Sequence, residues 1–336
     1  MSDIISNRPV KYWWVNQNQT FRQEFEGGYL WSPRTNRDGR RNPSYENMRE
    51  MAPGDIVFSF SGGEILALSI VVYCAVPAPK PEEFGNIGPH WDPKRGWLVA
   101  VSYKKLSHTV APREHMNVLR GELPSRYSPL QADGRGNQAY LFEISAGMAQ
   151  ILFGLIGSEA EIFALHGYVA AEPSAKYIDN GRVITDWENI EQSEIEKDSH
   201  IDETERESLI RARVGQGIFR KNVMHIEKSC RITGVTNPEH LIGSHIKPWR
   251  ESTNDERLDG ENGLLLTPTA DHLFDRGFIS FENDGKLLIS PVADRDSLIK
   301  MKIPEAGFDT GPFSSQQKMF LDFHRDMIFL KRSHRY

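Results

Sequence analysis

Short apolar runs punctuated by turn residues dominate the first half of the chain, and helical spacing dominates later. Lys11–Val15, Asp55–Phe60, Ile65–Tyr73 and Trp97–Tyr103 are rich in β-branched and aromatic residues, which predicts strands. Pro53-Gly54 and Ser61-Gly62-Gly63 lie between them as turns. From Met148 to Ala164, Ile151, Leu152, Leu155, Ile156, Ile162 and Phe163 are spaced to share a helix face. The stretch to about Pro173 therefore predicts a strongly curved sheet or small barrel with flanking helices. Ser174 to His200 is polar and acidic, which predicts a linker with one short strand at Val183–Ile184. A helical pattern runs from Asp202 to about Glu227, weakened at Gly215 and Gly217. Short strands, turns and a helix follow to near Pro291. Ser314–Leu330 then repeats Phe320, Phe323, Ile328 and Phe329 at loosely helical spacing, as a core-covering segment does. The expected class is α+β, with domains at 1–173 and 202–336 and an acidic linker at 174–201.

Composition narrows the function classes. The chain has 336 residues, 39% hydrophobic and 26% charged, as a soluble two-domain protein does. No apolar run approaches a membrane span, and Met1 to Arg8 lacks a signal pattern, so the cytoplasm is the expected compartment. Two cysteines, Cys74 and Cys230, exclude a disulfide framework and a four-cysteine zinc site. The net charge of −6 argues against a nucleic-acid partner only as an average. Much of the acid sits between Glu188 and Glu207, and Arg211, Arg213, Arg220 and Lys221 follow without an acid among them. That strip reads either as a solvated helix face or as phosphate contacts.

Three segments carry chemistry: Ser244-His245-Ile246-Lys247-Pro248-Trp249, Glu261-Asn262-Gly263-Leu264-Leu265-Leu266, and Asp271 to Phe281. His245 is expected at a strand end facing a turn. Asn262-Gly263 signals a turn, and Asp271 and Asp275 would share one face of a short helix. Phosphodiester hydrolysis needs a base for water, a group that holds the base, and a cation at the scissile phosphate. His245 suits the first role, Asn262 the second, and Asp271 supplies a hard oxygen for a divalent metal.

Cys230-Arg231-Ile232-Thr233-Gly234 followed by these segments resembles the HNH (ββα-metal) endonuclease family over about Arg211 to Pro291. The resemblance implies His245 as general base, Asn262 as the family's Asn, and Asp271 where many relatives carry a metal-binding His. His272 is the alternative ligand and Asp275 a further candidate. Ser244 stands where many relatives have an acidic or His ligand. The implied cofactor is Mg²⁺, with Mn²⁺ or Ni²⁺ as alternatives. Lys247 joins the basic strip as a phosphate contact.

The first domain holds Lys11-Tyr12-Trp13-Trp14-Val15-Asn16-Gln17, Tyr29-Leu30-Trp31-Ser32-Pro33 and Pro89-His90-Trp91-Asp92-Pro93. Aromatics in such places either pack a sheet or stack on an unstacked base. With Pro53–Phe58, the pattern resembles an EVE domain, a PUA-like fold related to YTH domains. The resemblance implies a modified-base cage at Trp31, Ser32 and Trp91, with Trp14, Trp13 or Trp97 completing it and Asn16 and Gln17 meeting the base edge. The pair of domains resembles the EVE–HNH modification-dependent restriction endonucleases. The implied partner is double-stranded DNA carrying 5-methylcytosine or 5-hydroxymethylcytosine. A double-strand break needs two nicks, which fits a homodimer or paired sites. The rival readings are a nucleic-acid reader with an inactive or merely nicking HNH module, and an HNH enzyme whose first domain binds a small molecule or a protein.

Overall fold

The computed structural model describes residues 9–160 and 180–330. The chain divides into two compact units, 1–184 and 185–336. The α+β class expected from the sequence is what both units show. Among the described residues, no helix is long and apolar enough to cross a membrane.

The first unit is a curled, seven-stranded mixed sheet. Its strands are β1 (Tyr12–Asn16), β2 (Tyr29–Pro33), β3 (Ile56–Ser61), β4 (Glu64–Val71), β5 (Val76–Ala78), β6 (Gly96–Val110) and β7 (Leu141–Ile144). The order is β2-β6-β4-β3-β1-β7, with β5 also on β6. The β1–β3 pair is parallel and the others are antiparallel. The Gly62-Gly63 hairpin needs glycine, because both residues have positive φ (64° and 94°). Helix α1 (Phe21–Gly27) joins β1 to β2. Helix α2 (Ala146–Ile156) starts at a Ser145 cap and packs Met148, Ala149 and Leu152 onto a core with Trp14, Phe58 and Leu68. The expected helix reached Ala164, and its last four residues lie outside the described ones, as does the expected boundary at 173.

The second unit opens where a linker was expected. Asn180–Lys197 is an 18-residue helix, α3, so the expected strand at 183–184 is helical instead. Trp187 and Ile195 are buried, and Glu188 and Glu191 find arginine partners, which is why this acidic stretch is ordered rather than a solvated tether. The helix expected over Asp202–Glu227 is two: α4 (Glu203–Arg213) and α5 (Gly217–Ile226). Gly215 breaks it at φ 66°, and a Cβ there would lie 2.3 Å from the Gly243 carbonyl oxygen. The segments singled out in the sequence follow. Strands β8 (Ile242–His245) and β9 (Gly263–Leu266) pair antiparallel, with helix α6 (Asn254–Leu258) between them and α7 (Pro268–Asp275) after. A small hairpin of β10 (Ile279–Phe281) and β11 (Leu287–Ile289) comes next. Helix α8 (Ser315–Met327), opened by a Ser314/Gln317 capping box, covers the core with Phe320 and Leu321, as expected of Ser314–Leu330.

Candidate functional site

His245 ends β8, half-buried, and its ring lies flat on Phe219 of α5 with centroids 3.7 Å apart. Gly263, opposite His245 in the ladder, makes room for that packing. A Cβ at Gly263 would lie 2.3 Å from Val223 and 3.0 Å from the Phe219 ring. The Nε2 of His245 is 3.0 Å from the Arg257 carbonyl oxygen. A carbonyl only accepts, so this contact places the proton on Nε2 and leaves the lone pair on Nδ1. Enclosure pushes the imidazole down to about 4, against the pull of the Arg257 carbonyl. The ring is therefore neutral at physiological pH, with Nδ1 ready to accept a proton.

His324 supplies an internal comparison. It too stacks on a phenylalanine, Phe274, at 3.9 Å, and puts Nε2 3.0 Å from the Phe274 carbonyl oxygen. Its Nδ1, however, meets Ser280 Oγ at 2.9 Å, and the residue is 1% exposed. His324 is a satisfied core histidine, whereas Nδ1 of His245 has no hydrogen-bond partner among the described residues.

Asn262 does not touch His245. It is fully buried, and its Oδ1 accepts from the Lys247 amide at 2.8 Å. Its Nδ2 donates to the Glu256 carbonyl at 3.0 Å, and to the Lys247 carbonyl and Ser252 Oγ at 3.2 Å each. The expectation that it orients the imidazole directly is therefore corrected. Asn262 ties the loop after β8 to helix α6, and α6 carries the Arg257 carbonyl on which His245 rests.

Asp271 and Asp275 lie one turn apart on α7. Burial raises the Asp271 carboxyl and the nearby Asp275 adds to this, while a hydrogen bond from Ser244 opposes both. The serine that departs from the family pattern thus holds the aspartate that departs from it. Asp275 is 3.7 Å from Arg250 and 3.9 Å from Arg276. His272, the alternative ligand, is exposed. Among the described residues, no group of three or more His, Cys, Asp or Glu gathers as a metal cage. The donors still fit Mg²⁺ or Mn²⁺, which are held by one or two carboxylates with water and substrate phosphate completing the shell. A cation at Asp271 would also offset its repulsion with Asp275.

The expected phosphate contacts divide. Arg211, paired with Glu207 at 2.5 Å, and Lys221 are exposed. Arg213 is bound to Glu188, Asn189 and Gln192, and Arg220 to the Pro238 and Leu241 carbonyls. Lys247 pairs with Glu256 at 2.6 Å. Three of the five cations expected to meet phosphate are thus part-buried and held by internal partners, and a fourth, Arg211, is paired at the surface.

Residues 230–282 match the HNH_2 family, an HNH endonuclease. The HNH match takes in His245, Asn262, Asp271 and Asp275. It leaves out Phe219, which lies under the imidazole, and Glu188 and Glu191 on α3.

In the first unit a cavity of about 510 Å³ lies among residues that include Trp31, Trp91, Tyr45, Tyr140, His90 and Asn16. No Asp, Glu, Lys or Arg lines it among the described residues. Trp31 and Trp91 meet with ring centroids 5.8 Å apart. Trp31 is 1% exposed and Trp91 is half-buried. Trp13, Trp14 and Trp97 are at most 1% exposed, and none lines the cavity. Ser32 and Gln17 are equally buried and also lie off it. The Asn16 side chain lines the cavity, its amide nitrogen donating to the Asn137 and Ala139 carbonyls and its Oδ1 accepting from the Trp14 indole. Gln17 bonds Glu24 and Tyr103. Sequence reasoning missed Tyr45, Tyr140 and His90; only His90, beside Trp91, had a local signal.

Glu24 sits behind this wall, fully buried, and accepts from Tyr140 Oη at 2.8 Å and the Trp31 amide at 3.2 Å. Burial raises its carboxyl to about 8.

Solved structures similar to this chain include human THYN1 in complex with 5-methylcytosine-containing DNA, at 14% identity, TM-score 0.31, covering 44% of this chain and 98% of that one. Another is the YTH domain of Zygosaccharomyces rouxii MRB1 with N6-methyladenosine RNA, at 11% identity, TM-score 0.31, covering 44% and 86%. The DUF55 domain of human thymocyte nuclear protein 1 follows at 15% identity, TM-score 0.31, covering 43% and 98%. No curated protein sequence matches the chain.

Proposed function

We propose that this protein is a modification-dependent DNA endonuclease. Its second unit hydrolyses phosphodiester bonds by general-base catalysis. The observation that carries this is His245: a neutral imidazole whose Nε2 is fixed by a carbonyl and whose Nδ1 is unpartnered, one strand residue from the Ser244–Asp271 contact. Nδ1 takes the proton of the attacking water, and Asn262 keeps the supporting loop in place. Asp271 would hold the divalent cation, with Asp275 beside it. When bound, that cation stabilises charge on the scissile phosphate and leaving oxygen.

The first unit is proposed to read a flipped, modified cytosine in double-stranded DNA. An uncharged cavity walled by indoles and amides suits a neutral base better than a phosphate or an ammonium group. Stacking on Trp91 and Trp31 would return about 1–3 kcal/mol per base against the cost of unstacking. Arg211 and Lys221 are the exposed cations proposed to meet backbone phosphate.

The test is cleavage of matched plasmids carrying cytosine, 5-methylcytosine, 5-hydroxymethylcytosine or N6-methyladenine, each with Mg²⁺, Mn²⁺ or Ni²⁺. Cutting confined to a modified-cytosine plasmid is expected. Equal cutting of all four sinks the reader assignment. Tight binding of modified DNA with no cutting under any metal selects the inactive-HNH reading.

A further inference from the structure

His245 rests on a backbone oxygen, so its position depends on whatever fixes Arg257. The Arg257 guanidinium has three partners. Nε donates to the Trp249 carbonyl at 2.9 Å, Nη1 to Asn254 Oδ1 at 3.1 Å, and Nη2 to Glu191 Oε2 at 3.0 Å. The group also lies 4.0 Å over the Trp249 ring. Two of the partners are close in sequence, Asn254 on α6 itself and Trp249 in the turn before it. Glu191 comes from α3, 66 residues earlier, outside the HNH match.

This pair is enclosed: the Arg257 side chain is 5% exposed and that of Glu191 13%. Burial pulls the guanidinium below its usual range, and Glu191, then Glu194, pull it back. An enclosed cation that loses its partner carries an uncompensated charge, and the loop around it must move to find water. One turn earlier on α3, Glu188 meets Arg250 at 3.3 Å, and Arg250 is 3.7 Å from Asp275. The same face of α3 therefore holds the arginines on both sides of the site.

We propose that Glu191 is a positioning residue for the cleavage reaction: by fixing the Arg257 guanidinium it holds the Arg257 carbonyl on His245 Nε2, and so keeps the reactive lone pair on Nδ1. The proposal rests on the nuclease reading above.

The experiment compares full-length wild type with Glu191→Gln by plasmid cleavage across pH and by ¹⁵N NMR of the His245 ring. The charged groups facing His245 are Arg257 and Asp275, and neither is itself replaced. With Glu191→Gln, kcat falls by roughly 10- to 100-fold while KM for DNA holds. The acid limb of the rate profile climbs toward the ordinary histidine value as water reaches the loosened ring. The ring spectrum changes from Nε2–H to a mixture of tautomers. A merely structural role would lower the amount of active protein without moving the limb or the tautomer, and that result overturns the proposal. Should Glu191→Gln fail to fold by circular dichroism, Glu191→Asp, which keeps the charge but withdraws it, is read in the same assays. A pure Nε2–H spectrum in that variant also overturns the proposal. If the wild type cuts no plasmid with any metal, the nuclease reading falls, and the tautomer comparison still decides the role of Glu191.

Discussion

The imidazole of His245 lies 2° from parallel to the ring of Phe219, at 3.7 Å. Phe219 covers one face of the base, and the Arg257 carbonyl occupies one of its nitrogens. The proposed base acts in its neutral form, and burial lowers this imidazole to about 4. The rate should therefore hold nearly level from pH 8 to about 5, instead of failing near the ordinary histidine value of about 6.5. Phe219→Leu keeps an apolar filler but removes the flat cover. It should raise the acid limb toward 6.5 in a pH–rate profile. His245→Ala should abolish cleavage while leaving DNA binding intact, and full cleavage by that variant would remove the base assignment.

Asn262→Ala strips four contacts from the 247–256 loop. Each buried group left unsatisfied costs about 1–3 kcal/mol. Urea unfolding of the second unit should show a loss of at least that size, together with reduced cleavage. Lost cleavage at unchanged stability would instead point to a direct role at the imidazole.

The two indoles of the cavity should respond differently. Trp31 is buried, so Trp31→Ala costs about 3–5 kcal/mol as a core cavity. Trp91 is half-buried, and Trp91→Ala should leave the fold near its original stability while binding to modified DNA weakens by about 1–3 kcal/mol. Calorimetric titration with modified and unmodified duplexes checks this, and an unchanged preference excludes Trp91 from base recognition.

Glu24 gives the first unit a pH response. Burial raises its carboxyl to about 8 in the fold from an ordinary value of about 4.5. The folded state binds the proton more tightly, so the stabilisation is complete below about 4.5 and is lost as pH rises through about 8. Glu24→Gln imitates the neutral acid and should flatten that loss, raising the melting temperature at pH 9 more than at pH 6. His245 and His324 act in the opposite sense in the second unit. Both are lowered to about 4 from 6.5, so they withdraw stability as pH falls from about 6.5 to about 4.

The parts legible in the sequence were those with local causes. The helix carrying Asp271 and Asp275 and the strand ending at His245 follow from residues a few positions apart, and the turn expected at Asn262-Gly263 falls just before it, at Gly260–Asn262, with Gly263 opening β9. Tertiary pairing hid the rest. Nothing local shows that the Asn262 amide spends itself on the 247–256 loop. Nothing local shows that Glu188 and Glu191 meet arginines 62 and 66 positions away and so turn an acidic stretch into packed helix. In the first unit, strand alternation did not sort the tryptophans, because both faces of the curled sheet are covered. Trp13 bonds Asp55 on one face, and Trp14 packs against Phe60 on the other. Tyr45 and Tyr140 reach the cavity from segments without any motif.

The indole nitrogen of Trp249 donates to the Leu209 carbonyl on α4 at 3.0 Å, across a span of 40 residues. The stretch that carries the family signature is therefore not a portable cassette. Grafting residues 230–282 onto another DNA-binding protein would leave the catalytic loop without its outer wall. A working graft would have to carry the chain from 185 to 330, so the proposed nuclease would have to be engineered as one piece.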